Sequence, residues 1–128
     1  MSIGDYKKQK GAAAVEFAII MIPFIILIFA IFQFGIVFNN WIALTHAARE
    51  GARLAAVAED EIFIREEIVN RAPSVRIDKI DIDGLHGKVG NPVTVAVTGE
   101  MINLDIPFIT SRSILLTSSA TLRIEKEL

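Results

Sequence analysis

The chain has 128 residues with 13 Lys+Arg against 15 Asp+Glu, a formal charge of −2, so no basic excess argues for a nucleic-acid partner. It has no cysteine, which removes disulfide staples, thiolate metal sites and cysteine nucleophiles from consideration. Hydrophobic residues make up 52% of it, and they are gathered into one N-terminal run rather than spread evenly.

The first eleven residues, MSIGDYKKQKG, set Lys7, Lys8 and Lys10 against Asp5 and end in Gly11. From Ala12 to Phe38 only Glu16 and Gln33 are strongly polar. As a helix this run is roughly 36–40 Å long at about 1.5 Å per residue, enough to span a bilayer. The basic flank places the N-terminus in the cytoplasm and exports the C-terminal part. The run is also far too long for the apolar core of an ordinary secretory signal.

An ionisable Glu16 inside such a run reads as functional and calls for a positive partner. Cutting after Gly11 would create an ammonium on Ala12, one helical turn from Glu16 in its own subunit and reachable from a neighbour. Gly11, Ala12 and Glu16 together resemble the class III signal of type IV pilin-like proteins. In those proteins a prepilin peptidase cuts after glycine at the cytoplasmic face and leaves the apolar segment intact.

Alanine-rich sequence without proline, NNWIALTHAAREGARLAAVAED, continues the helix, which is predicted from about Ala12 to Ala58. At about 100° per residue, Leu44, Ala47, Ala48, Gly51, Ala52, Leu54, Ala55 and Ala58 share one small, apolar arc. Thr45, His46, Arg49, Glu50 and Arg53 lie opposite. The arc can pack on a partner helix or on the chain's own domain. Pro23 predicts a kink or local melting within the membrane helix.

Ala14-Val15-Glu16-Phe17-Ala18, then Pro23, Phe34-Gly35 and Ala47-Ala48-Arg49-Glu50-Gly51-Ala52-Arg53 resemble, in order and separation, the TadE-like family of tight-adherence (Tad) pilus assembly proteins. The resemblance covers residues 11–58. It implies a minor pseudopilin of the bacterial inner membrane, acting in pilus assembly for adherence and biofilm formation, and it allows incorporation in the pilus. A minor subunit suits the length, because the major pilins of that system are much shorter. The implied partners are other pilin-like subunits, the prepilin peptidase, the Tad assembly platform proteins, the assembly ATPase and the secretin.

Glu61 to Ala72 is predicted as a short amphipathic helix stopped by Pro73, with Ile62, Ile64 or Arg65, Ile68 and Val69 at helical spacings. VRIDKIDID (Val75, Ile77, Lys79 or Ile80, Ile82) and PVTVAVTG (Val93, Val95, Val97) alternate as strands, joined by a glycine-rich connection over residues 84–92. Ile102 to Phe108, broken by Pro107, reads as an edge or loop, and Ile114 to Ile124 as a third strand. The whole predicts an α+β protein: a basic leader (1–11), a long N-terminal helix (12–58, transmembrane over about 12–38) and a small exported domain (59–128) with a short helix and about three antiparallel strands. Those last 70 residues are marginal for a lone core, so packing against the upper helix should complete it.

Sites of chemistry are scarce. His46 and Glu50 stand four apart, but no third ligand is placed and Arg49 and Arg53 crowd the same face, so a solvated ion-pair face is the better reading. Aligning Gly84 to the sixth position of a calcium loop brings Asp81 and Asp83 into register but puts Lys79 first and Gly90 last, which rejects it. No cofactor, metal, small-molecule substrate or enzyme activity is expected. The alternative to the pseudopilin is an uncleaved single-pass, membrane-tethered binding module of the cell envelope.

Overall fold

The computed structural model describes the backbone of residues 3–101 and 113–126 and the side chains of residues 10–100 and 113–126. Helix α1 (Ile3–Ala56) and helix α2 (Glu61–Arg71) precede strands β1 (Arg76–Asp83), β2 (Pro92–Met101) and β3 (Ile114–Arg123). The protein is therefore α+β, with a long N-terminal apolar helix, a short helix and three antiparallel strands. The expected edge at Ile102 to Phe108 lies outside the described residues. Residue contacts divide the chain into two units, Met1–Gly35 and Ile36–Leu128.

The first unit is the apolar part of α1. The helix begins at Ile3, inside the basic leader, rather than near Ala12: the leader has no proline, and its lysines and glutamine are good helix formers. It also stays helical across Pro23, so of the kink or local melting expected there it is melting that does not occur. Proline has no N–H, which leaves the Ile19 carbonyl, four residues back, without its usual helical donor. None of the most apolar stretch is covered by protein, and the helix is long and apolar enough to cross a membrane.

In the second unit the sheet has the order β1-β2-β3, antiparallel throughout. One face of β2 presents Val93, Val95 and Val97, each fully buried. Leu44, Ala47, Ala48, Ala52 and Ala55 of α1 and Ile64 and Ile68 of α2 join them in a single core. The core of the small domain is thus completed by the upper half of α1. Strand β1 holds its isoleucines inward by a bulge: Ile77 pairs with Gly99 and Lys79 with Thr98, so Asp78 is the extra residue. Without that insertion, strict alternation would place Ile77 and Ile80 on opposite faces.

Helix α2 starts where Asp60, in extended conformation, accepts a hydrogen bond from the Ile62 N–H at 3.3 Å. Only Ile64 and Ile68 of its apolar residues are buried; Ile62 and Val69, expected on the same stripe, are exposed. The helix touches the core along one narrow ridge, and two residues one turn apart fill it. Arg65 ties it to β1, donating from Nη1 to the Ile80 carbonyl at 3.0 Å.

Helix α1 stops two residues before the expected Ala58, in a Schellman cap. Glu59 N–H donates to the Leu54 carbonyl at 3.1 Å, Ala58 N–H donates to the Ala55 carbonyl at 3.3 Å, and Ala58 takes φ +61°. Glycine is the residue suited to that left-handed position, and alanine there is strained. Ala58→Gly should therefore stabilise the protein by about 0.5–1 kcal/mol, read by pulse proteolysis of the whole chain in detergent. Equal or lower stability would show that the cap carries no strain.

Candidate functional site: the N-terminal segment and the AAREGAR face

The residues singled out near the N-terminus all lie on α1. Gly11, Ala12, Glu16 and Pro23 are exposed, and Glu16 follows Ala12 by four residues, one helical turn. Among the described residues Glu16 has no hydrogen bond or ion pair. Gly11 has no packing reason to be glycine, because a Cβ added there would meet nothing within 4 Å. Glycine inside a helix costs roughly 1 kcal/mol relative to alanine, so a requirement other than packing within the chain must account for it.

Gly51 is the opposite case. A Cβ there would lie 2.6 Å from Ile68 Cδ1 and 3.2 Å from Val95 Cγ1. With Ala47, Ala48, Ala52 and Ala55 all buried, the small-residue arc is occupied by the chain's own α2 and β2. Of the two ways that arc could be used, this is packing on its own domain.

On the other side of α1, Glu50 holds two arginines. Arg53 grips it with a two-pronged contact, Nη2 to Oε1 at 2.7 Å and Nε to Oε2 at 3.0 Å, and Arg71 of α2 approaches Oε1 at 3.5 Å. Arg71 in turn donates from Nε to Glu67 Oε1 at 2.8 Å. The hydrogen bond from Arg53 holds the Glu50 carboxyl below the usual carboxylate range; partial burial opposes this, and the charges of Arg53 and Arg71 add to it. With its guanidinium partners largely solvated, this cluster orients α2 on α1 more than it stabilises them. Arg49, from the same motif, is exposed and makes no ion pair among the described residues.

The other sequence candidates form no chemical centre. His46 is exposed, and Glu50, its expected neighbour, has both oxygens engaged by Arg53. Among the described residues no group of three His, Cys, Asp or Glu side chains could hold a metal ion. Asp81 pairs with Lys79 at 2.8 Å on the exposed side of β1.

Sequence reasoning passed over three features. Phe38 and Trp41 form a tilted ring pair with centroids 5.9 Å apart, where the apolar run gives way to polar sequence; aromatic enrichment at membrane interfaces was the available signal. Ser118 of β3 donates to Thr45 Oγ1 of α1 at 3.1 Å, a contact across 73 residues that no local pattern reveals. The outer sheet face carries hydroxyl pairs, Thr94 with Thr121 at 2.8 Å and Thr98 with Thr117 at 3.1 Å.

Residues 11–53 match the family model described as TadE-like protein. No curated protein and no solved structure matches the chain. The matched segment ends at Arg53, so it holds Gly11, Ala12, Glu16, Pro23 and the whole AAREGAR motif. It associates the chain with the Tad pilus machinery, and the single N-terminal apolar helix is compatible with a single-pass membrane anchor.

Proposed function

We propose that this chain, with its TadE-like domain at residues 11–53, is a minor pseudopilin of a Tad-type pilus. In this reading it is made as a single-pass inner-membrane precursor with its N-terminus in the cytoplasm, and prepilin peptidase cleaves it after Gly11. It then assembles through α1 with other pilin-like subunits and the Tad platform proteins. Its role is structural rather than catalytic. The observation that carries the reading is a carboxylate, Glu16, that stands unpaired among the described residues of an exposed apolar helix, one turn from Ala12. A buried charge is strongly penalised without a partner, and cleavage would supply one as an ammonium in the same segment.

The second unit supports the reading in a different way. Its small-residue arc is already used internally, so assembly through α1 falls to the exposed apolar part of that helix. The mature protein should begin at Ala12, and Gly11→Leu should leave full-length chain in the inner membrane. Mass spectrometry of the native N-terminus in a host with active prepilin peptidase decides it. A native N-terminus at Met1 would replace this reading with that of a tethered binding module.

A further inference from the structure

The two edges of the sheet are built differently. On β1, Asp78 bulges out of the ladder, Lys79, Asp81 and Asp83 carry charge, and Arg65 of α2 donates to the Ile80 carbonyl at 3.0 Å. Such devices keep an edge strand from pairing further. Strand β3 has none of them: it follows β2 from Ile114 to Arg123 without a bulge, and Ile114 to Leu122 holds no charge and no proline. The direction of its backbone groups follows from its last contact. Ile124 N–H donates to the Asn91 carbonyl at 2.9 Å and its own carbonyl accepts from the Gly90 N–H at 2.8 Å, so both groups point toward the β2 side. In an antiparallel strand every second residue does the same, and the residues between point away. Pro92 fits this alternation, because it has no N–H to give and pairs with Arg123, one of the residues pointing away. Leu115, Thr117, Ser119 and Thr121 therefore aim N–H and C=O off the sheet, where no group among the described residues meets them.

We propose that this edge docks an extended, uncharged strand of another polypeptide, added antiparallel to β3 as the fourth strand of the sheet. A row of outward backbone N–H and C=O groups is matched by the same row on another extended chain. Leu115 and Leu122, exposed on opposite faces near the two ends of β3, add apolar contacts for such a strand. The direction of β3 argues against a second copy of this chain as the occupant. Ser118 meets Thr45 at 3.1 Å, and Ala56, further along α1, accepts from the Glu125 N–H at 2.8 Å, so β3 runs the same way as α1. Copies anchored through α1 with one topology present edges that run alike, whereas antiparallel pairing, the more stable kind, needs an edge that runs the other way. That choice of partner rests on α1 being a membrane anchor; the open edge does not.

A blocked peptide copying residues 93–99 is a suitable probe, because β2 is the antiparallel neighbour that β3 already accepts on its other side. Residue-resolved hydrogen exchange of the full chain in detergent reads the outcome. With peptide in excess, the amides of Thr117, Ser119 and Thr121 should slow by about three- to tenfold, while those of Ile80 and Ile82 on the guarded edge stay unchanged. The peptide carrying Ala96→Pro should have no effect. In the chain, Ser119→Pro removes an N–H that points away from β2, so the fold should survive while the response to peptide is lost. Ser119→Lys keeps that N–H and should weaken the response by placing a charge beside it. No slowing, or equal slowing with the proline peptide, would overturn the proposal. Slowing without peptide that grows with chain concentration would give the edge to a second copy, and protection at every dilution would mean that the chain covers its own edge; either would overturn it as well. Release of the chain from phosphatidylcholine vesicles by alkali would overturn the anchored reading, and with it the choice of a different chain as partner.

Discussion

Gly51→Leu should destabilise the second unit by about 1–3 kcal/mol or more, and the loss should be repaired in part by shrinking the residue it meets. A Cβ at this position falls 2.6 Å from Ile68 Cδ1 and 2.9 Å from Ile68 Cγ1, and Ile68 is fully buried, so it cannot swing into solvent. Replacing a helical glycine gains about 1 kcal/mol of propensity. For Gly51→Ala that gain is comparable to the cost of displacing the flexible end of Ile68, and the variant should be near neutral. Leucine adds three more carbons with nowhere to go. Ile68→Ala alone opens a cavity and should cost about 2–5 kcal/mol. The double variant should be less destabilised than the sum of the two by about 0.5–3 kcal/mol, because each change relieves the other. Pulse proteolysis of the full chain in detergent measures all three; strictly additive losses, or wild-type stability in Gly51→Leu, would show that α1 and α2 do not meet as described.

That contact shows what sequence could and could not convey. Periodicity was enough to put Ala47, Ala48, Gly51, Ala52 and Ala55 on one face, because the stretch that holds them has no proline and the small residues recur at helical spacing. It could not choose between a partner helix and the chain's own domain, since that choice depends on Ile68 and Val95 arriving from distant elements. In β1 the pattern left Lys79 and Ile80 as alternatives, and only the ladder with β2 decides it, by inserting Asp78. Similarly, the end of α1 carries no glycine signal, because the left-handed residue is Ala58. Gly99 read as the end of a strand, yet Val75 and Leu44 crowd the place a Cβ would take. At the AAREGAR face, sequence grouped Arg49, Glu50 and Arg53 but could not foresee Arg71 of α2 closing on Glu50 from 21 residues away. Local spacing defines faces, whereas tertiary approach decides which of their residues meet.

Glu16→Gln and Glu16→Ala should leave membrane insertion and cleavage after Gly11 intact while abolishing most association with other pilin-like subunits. The scissile bond and the apolar span survive both changes, so processing has no reason to fail. Association is different, because it would bring a carboxylate and the Ala12 ammonium out of water together. In a low-dielectric setting, removing one member of such a pair leaves the other charge uncompensated, a loss on the order of 3–5 kcal/mol, or more than a hundredfold in an association constant. Gln keeps the size and hydrogen-bonding capacity of the side chain and removes only its charge. If the pair is what matters, Glu16→Gln should therefore be nearly as defective as Glu16→Ala. If shape or hydrogen bonding matters instead, Gln should rescue. Crosslinking to pilin partners and counts of surface pili, scored beside the N-terminal mass of the same samples, separate these outcomes. Normal crosslinking and piliation in both variants, with cleavage intact, would reduce Glu16 to a carboxylate resting at the membrane interface.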